Sequence, residues 1–141
     1  MIQVAIVTRR LKKGKTYVDF RKAWYHTKGF GTSNKMLTIL NAANTDEIIV
    51  IGLTEAGLEK IPDLIAIDSN ERGSNPLDEV IEPRIERIFG VLISEDDFSG
   101  SGSIEYKPPT VNGKVTDMDV IKSNIQQGRK LLAKFRPDIK L

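Results

Sequence analysis

Residues 47–53 read Glu47-Ile48-Ile49-Val50-Ile51-Gly52-Leu53, and this stretch decides the fold prediction. Alternate side chains of an extended strand face opposite sides of a sheet. Ile48 and Val50 therefore share one face, while Ile49, Ile51 and Leu53 share the other. A strand with one face in water alternates apolar and polar residues. This strand is apolar on both sides, so the sequence predicts a sheet that is buried on both faces.

The flanking segments predict three more strands. They cover Ile2–Thr8, Lys35–Leu40 and the apolar run Ile88–Ile93, which lies near the end of the segment Arg84–Ser94. The loop Asn41–Asp46 contains two Asn and one Asp, which favour turns, and it joins the second and third strands as a hairpin.

A first helix is predicted to begin after Thr16. Asp19 follows three residues later, close to the spacing of a capping box. Tyr17, Phe20 and Trp24 recur at helical spacing and form an apolar stripe. The pattern weakens near Gly29, where the helix is expected to stop.

The region between the third and fourth strands is less regular. Pro62 can open a short second helix over residues 64–67. Asn75-Pro76 then predicts another short helix, Leu77–Ile81, which Pro83 limits. The resulting order is strand, helix, strand, strand, helix, strand.

The chain after residue 98 is predicted to form an arm. Ser99-Gly100-Ser101-Gly102-Ser103 has the composition of a flexible linker, and residues 99–115 are expected to be flexible or extended. Thr116 is predicted to cap an amphipathic helix over residues 116–136. The predicted organisation is therefore a core domain, 1–98, a linker, 99–115, and a C-terminal helix, 116–136.

Both faces of the predicted sheet need cover. Right-handed crossovers place the two intervening helices on the same side, so they cover one face only. The C-terminal helix or a second copy of the chain must cover the other. We expect the second copy, because monomers rarely expose an apolar patch of that size. The arm could then reach across to the partner subunit.

The element order, together with the segments 16–26 and 47–52, resembles the dimeric α/β-barrel superfamily, in particular the antibiotic-biosynthesis monooxygenases and their stress-response relatives. The resemblance covers about residues 1–98. It implies a ferredoxin-like α+β subunit with βαββαβ order that forms a homodimeric barrel through its sheet. Members of this group include cofactor-free oxygenases, haem binders, isomerases and proteins without known activity, and a fold does not choose among them.

The functional hypothesis is a site for a small apolar or aromatic molecule between sheet and helices. His26 is the candidate general base, because histidine is the residue type suited to proton transfer near neutral pH, and Tyr25 could supply a hydroxyl. Trp24 and Phe20 are candidate apolar walls, and Asn41 a candidate partner for a ligand carbonyl. The open alternatives are structural: a histidine at a helix end, core aromatics and a turn asparagine. A cofactor-free monooxygenase or isomerase and a non-enzymatic dimeric binding or assembly module both fit these residues.

The amino-acid composition restricts which metal sites, cofactors and disulfides the protein can contain. The 141 residues contain no Cys and one His, which excludes disulfides, zinc-thiolate sites and iron–sulfur clusters. We expect no cofactor and no metal, although His26 alone could ligate haem, and the carboxylates Glu95-Asp96-Asp97 could bind a cation if they did not point apart.

Charge and hydropathy bear on partners and location. The net charge is +2, distributed as a basic, an acidic and a second basic block, so no single basic field favours nucleic acid. Lys28-Gly29-Phe30-Gly31 starts like an RNA-recognition signature, but the aromatic residues that stack bases do not follow. The longest uncharged run, Met36–Thr45, is too short to span a membrane, which needs about 20 residues. We therefore expect no nucleic-acid or membrane partner and a cytoplasmic location.

Overall fold

A computed structural model of the chain describes residues 1–83 and 86–137. Its centre is a four-stranded sheet in the order β2-β3-β1-β4, in which every neighbouring pair is antiparallel. The strands are β1 (Ile2–Arg10), β2 (Asn34–Leu40), β3 (Glu47–Glu55) and β4 (Glu86–Val91). With the helices between them, this order defines a ferredoxin-like α+β subunit, as the sequence predicts.

Two helices follow the strands β1 and β3. Helix α1 spans Tyr17–Trp24, and its N-terminus carries the predicted capping box: Thr16 accepts a hydrogen bond from the Asp19 amide, and Asp19 accepts one from the Thr16 amide. Helix α2 spans Ile61–Ser74, with a short 3-10 turn, Leu58–Lys60, immediately before it. Phe20 of α1 packs with Ile48 of β3 at the centre of the core.

The C-terminal arm folds back onto its own subunit. Helix α3 spans Met118–Phe135 and contacts α2, the 3-10 turn and β4. Gly128 is buried at this contact, where a Cβ would lie 3.2 Å from the Leu58 side chain. The sequence leaves open whether this helix clamps a partner; in the structure it packs beside α2.

The linker, predicted to be flexible or extended, contains a small hairpin. Strands β5 (Thr110–Val111) and β6 (Lys114–Val115) pair across Asn112-Gly113. Both turn residues have positive φ, 51° for Asn112 and 77° for Gly113, which a tight hairpin turn of this kind requires.

Four local expectations about helices were wrong. Helix α1 ends at Trp24 rather than near Gly29, and α2 runs for 14 residues rather than one short segment. Residues 77–81 form a turn in which the amides of Val80 and Ile81 both donate to the Leu77 carbonyl. The N-cap of α3 is Asp117, not Thr116, because the Asp117 side chain accepts from the Asp119 and Val120 amides.

Strand boundaries also differ slightly from the prediction. Strand β4 begins at Glu86 and ends at Val91, whereas the apolar run suggested Ile88–Ile93. Arg84 and Ile85, the first residues of the predicted segment, lie outside the described residues. Strand β3 extends two residues further than predicted, to Glu55, because Thr54 and Glu55 still pair with β1.

Candidate functional site

A cavity of about 840 Å³ opens between the sheet and the three helices. Its floor is one row of residues across the four strands: Met36, Gly52, Ala5 and Phe89 are successive neighbours in the register. All four line the cavity. The two central positions carry the smallest side chains, so the middle of the floor is low and the helices span a space above it.

Gly52 closely approaches the Met36 side chain at this floor. A Cβ built on Gly52 would lie 3.0 Å from the Met36 sulfur, closer than ordinary van der Waals contact. A larger residue there would require the Met36 side chain to shift. The cavity is therefore a consequence of local sequence, namely small residues at matched positions of the two central strands.

A row of rings forms one wall of the cavity. Phe20 and Trp24 are stacked, with ring centroids 5.9 Å apart and planes at 16°. The Trp24 ring meets His26 edge-on at 6.3 Å, and His26 lies 5.0 Å from Phe30. All four residues line the cavity, so its wall is apolar and aromatic with one imidazole set into it.

His26 faces a carboxylate of helix α2. Its Nε2 lies 3.7 Å from Oδ1 of Asp68, and its side chain is 15% exposed. The other ring nitrogen, Nδ1, is buried and has no hydrogen-bond partner within the described residues. The ring thus has an acidic neighbour on one side and an unsatisfied polar atom on the other.

The loop that carries His26 is held by two other residues of α2. Glu71 is buried and accepts hydrogen bonds from the Thr27 amide at 2.9 Å and the Thr27 hydroxyl at 3.0 Å. The amide hydrogen bond is the main reason why the pKa of Glu71 is lowered from its ordinary value, with further contributions from the Thr27 hydroxyl and from the charges of His26 and Arg72.

Arg72 holds the end of helix α1. Its guanidinium donates to the carbonyl of Ala23 at 3.2 Å and to that of Trp24 at 2.8 Å. These carbonyls lie in the last turn of α1, where intrahelical donors are lacking. The contact fixes the orientation of the chain between Trp24 and His26.

Of the five site residues predicted from the sequence, three lie together at the cavity and two lie elsewhere. Phe20, Trp24 and His26 meet at the cavity wall. Tyr25 is 56% exposed, lies under the Arg21 guanidinium at 4.8 Å and lines a neighbouring groove instead of the cavity. Asn41 lies in the β2–β3 hairpin, where it donates to Glu47 and accepts from the Ala43 amide.

The residues of α2 that surround His26 are not among those predicted from the sequence. Asp68, Glu71 and Arg72 are spaced three and four apart, so they share one side of the helix. That spacing is visible in the sequence, and a longer helix prediction after Pro62 would have shown it. Their pairing with the loop at residues 26–27 forms only in the folded chain, through side-chain hydrogen bonds, and has no signal in the sequence.

The described residues contain neither a membrane-crossing helix nor a cluster of metal-ligating side chains. No helix there has the length and apolar character needed to cross a membrane. No group of three or more potential metal-ligating side chains converges within residues 1–83 and 86–137. In the segment after β4, the Asp97 carboxylate accepts from the Ser99 amide, and hydrogen bonds from Ser99 lower its pKa.

Comparison with solved structures supports the fold. The chain is similar to a protein from Chloroflexus aurantiacus J-10-fl that bears the name of an antibiotic biosynthesis monooxygenase, with a TM-score of 0.52 and 9% sequence identity. The match covers 70% of this chain and 100% of that one. The chain therefore shares the fold of that protein. No family model and no curated protein sequence matches it.

Proposed function

We propose that this protein binds a small apolar or aromatic molecule in the cavity between sheet and helices. The observation that carries the proposal is the cavity itself: its floor is kept low by Ala5 and Gly52, and its wall is the ring row from Phe20 to Phe30. Ligand sites are concave and mostly apolar, with a few polar groups that orient the ligand. His26 and Asp68 are such groups here.

The chemistry that this arrangement supports is proton abstraction by His26. Asp68 favours a proton on Nε2, which leaves the lone pair of the neutral ring on Nδ1. Nδ1 is buried, so the ring must rotate before a ligand hydroxyl can donate to it. That hydrogen bond would then satisfy an atom whose unmet hydrogen bond costs about 1–3 kcal/mol. Transfer of that proton from a phenol or enol yields an electron-rich anion, the species that can react with O₂ without a cofactor or be reprotonated at another carbon.

This mechanism assigns different roles to the residues proposed from the sequence. His26 is the base, Asp68 its orienting partner, and Trp24 and Phe20 are apolar walls. Tyr25 and Asn41 have no part in it, because neither lines the cavity. The monooxygenase or isomerase function thus depends on one imidazole and its acidic neighbour.

We also propose that a second copy covers the opposite face of the sheet. There Leu37, Ile51, Ile6 and Ile88 form an apolar row across all four strands. Leu37 is 52% and Ile88 50% exposed. Helix α3 lines the cavity on the other face, so within the described residues this row has no cover. Burial against a two-fold partner would remove the patch from water.

A non-enzymatic dimeric module remains the second candidate function. The exposed apolar row alone favours this function. A dimeric module requires neither a ligand nor a base. The two functions differ in what they require of the cavity: the module tolerates a filled cavity, whereas the ligand-binding function does not.

The test uses a neutral apolar probe, N-phenylnaphthylamine, which fluoresces on entering an apolar site. Trp24 is the single tryptophan of the chain and lines the cavity, so its quenching reports occupancy. Saturable binding with Trp24 quenching is expected, and Ala5→Leu should abolish it by filling the floor. The matched control is Ala66→Leu, an exposed position on α2. Absence of binding, or equal binding by Ala5→Leu, would overturn the proposal.

A further inference from the structure

The groove beside Tyr25 adjoins the cavity at the ring row. Its volume is about 800 Å³. The residues that line both the groove and the cavity are Trp24, His26, Phe30, Asn34 and Met36. The wall between the two spaces is therefore one layer of side chains, and His26 belongs to that layer.

His26 must rotate before its Nδ1 can meet a ligand, because that atom is buried. The imidazole contacts the Trp24 ring at 6.3 Å and the Phe30 ring at 5.0 Å, and its Nε2 faces Asp68 at 3.7 Å. Rotation in this packed layer requires a neighbour to move. The least firmly held neighbour therefore determines whether the base can reach the cavity.

Trp24 and Asp68 are held by helices. Trp24 is the last residue of α1, stacks on the buried Phe20 at 5.9 Å, and its carbonyl accepts from Arg72 at 2.8 Å. Asp68 lies within α2, so its backbone is fixed by that helix. Neither residue can move far without disturbing a helix.

Phe30 lies on a loop tip that is held much less firmly. Residues 28–31 make no hydrogen bond within the part of the chain that the structure describes. A Cβ built on Gly29 or Gly31, on either side of the ring, would have no atom within 4 Å. Gly31 also has a φ of 73°, which residues with side chains rarely adopt. The backbone on both sides of Phe30 is therefore free to turn.

Hydrogen bonds fasten the loop on both sides of this tip. Before it, the amide and hydroxyl of Thr27 donate to Glu71, and after it, the Thr32 hydroxyl donates to the Glu55 carbonyl. Motion is thus confined to residues 28–31. Of these four residues, Phe30 alone lines the cavity as well as the groove. The groove provides the space into which its ring can move.

We propose that Phe30 is a gate for His26. In the closed arrangement its ring packs against the imidazole. When the loop tip carries the ring toward the groove, the imidazole can rotate and present Nδ1 to a ligand in the cavity. This inference rests on the proposed function, because it concerns access to the base of the same site. It gives the groove a role, which is to receive the displaced ring.

Diethyl pyrocarbonate tests the gate without any ligand in the cavity. This reagent carbethoxylates neutral imidazole and changes its ultraviolet absorbance. His26 is the single histidine of the chain, so the signal reports this ring alone. Rates are taken on the plateau of the pH–rate profile, where the ring is neutral in every variant.

Three variants are compared with the wild type. Phe30→Ala removes the gate, and Thr32→Val loosens the loop while keeping the Phe30 ring. Phe89→Ala is the matched control, because it truncates a phenylalanine that lines the cavity but not the groove. Circular dichroism and melting confirm that each variant is folded.

Phe30→Ala should react at least about tenfold faster than the wild type, and Thr32→Val about two- to fivefold faster, because local opening becomes easier. Phe89→Ala should react within about twofold of the wild-type rate. An unchanged rate for Phe30→Ala, or an equal increase for Phe89→Ala, would overturn the inference. An increase for Phe30→Ala with none for Thr32→Val would show that the ring shields His26 without moving, which also overturns the gate.

Binding of N-phenylnaphthylamine separates this inference from the proposed function. If the probe binds and quenches Trp24 but Phe30→Ala does not accelerate the reaction, the ligand site stands and only the gate fails. If the rates change as expected but the probe does not bind, the gate stands and the proposed function fails.

Discussion

Glu71 receives both hydrogen bonds that Thr27 offers, one from its amide at 2.9 Å and one from its hydroxyl at 3.0 Å. Glu71 lies on α2 and Thr27 in the loop after α1, 44 residues apart in sequence. This double contact ties the loop to the helix directly beside His26. It therefore links the stability of the fold to the geometry of the candidate site.

Replacement of Glu71 tests that link. Glu71→Gln removes the charge and one acceptor oxygen, so the buried Thr27 contacts weaken, and a lower melting temperature is expected. The loop should also become less well ordered, which reduces probe affinity. Glu79→Gln, an exposed residue outside the cavity, is the control and should leave both properties unchanged.

The pH dependence of stability follows from the same carboxylate. The folded-state pKa of Glu71 is lowered below its ordinary value of 4.5. The unfolded chain therefore binds this proton at a higher pH than the folded chain, and the stabilisation is fully present above pH 4.5. It is lost as the pH falls through the folded-state pKa. Urea unfolding below pH 4.5 should show a shallower pH dependence for Glu71→Gln than for wild type; identical slopes would contradict this.

Phe20 connects the core to the cavity wall. It is only 1% exposed and stacks on Trp24. Phe20→Ala should lower the free energy of unfolding by about 3–5 kcal/mol, as for other large-to-small core substitutions. Val18→Ala, at an exposed position of the same helix, should change it by no more than about 0.5 kcal/mol. Urea unfolding followed by circular dichroism measures both, and a small loss for Phe20→Ala would show that this ring is not part of the core.

Substitution of Asn41 distinguishes a role in the hairpin turn from a role in ligand binding. Its side chain accepts from the Ala43 amide at 2.9 Å and donates to Glu47 at 3.0 Å. Asn41→Ala should cost about 1 kcal/mol of stability through these hydrogen bonds. Binding of N-phenylnaphthylamine should be unchanged, and weakened binding with unchanged stability would restore the ligand role that the sequence suggested.

The proposed dimer predicts a charge-sensitive interface. Ile88→Lys places a charge in the exposed apolar row and should convert the dimer to a monomer, measured by size-exclusion chromatography with light scattering. Val18→Lys, an exposed valine on α1, should leave the dimer intact. A wild-type monomer at micromolar concentration would contradict the proposed pairing through the sheet.

The strands and the capping box of α1 are predictable from the sequence because they depend on local signals. Both faces of β3 are apolar, and Thr16 and Asp19 lie at the right spacing. The length of α2 is not predictable from the sequence, because its weak amphipathic pattern gives no clear end before Asn75. The position of α3 is also not predictable, because its contact with Leu58 depends on Gly128 meeting a residue 70 positions away.

The residues of the candidate site also fall into those that the sequence predicts and those that it does not. Phe20 and Trp24 are predictable as one helical stripe, and His26 is conspicuous as the single histidine. Asp68 and Glu71 come from a distant helix and meet the loop at residues 26–27 only in the folded chain. Tyr25 directly follows Trp24, yet its side chain lies outside the cavity because the helix ends at Trp24 and the backbone of Tyr25 is extended.

The central claim is that the cavity above Ala5 and Gly52 binds an apolar molecule. A nitrogen–proton NMR spectrum of the labelled protein, titrated with N-phenylnaphthylamine, tests it most directly. If the probe occupies the cavity, the single Trp24 indole signal and the amides of Ala5, Gly52 and Phe89 at the cavity floor will shift. Shifts confined to the opposite face, at Leu37 and Ile88, or no shifts at all, would contradict it.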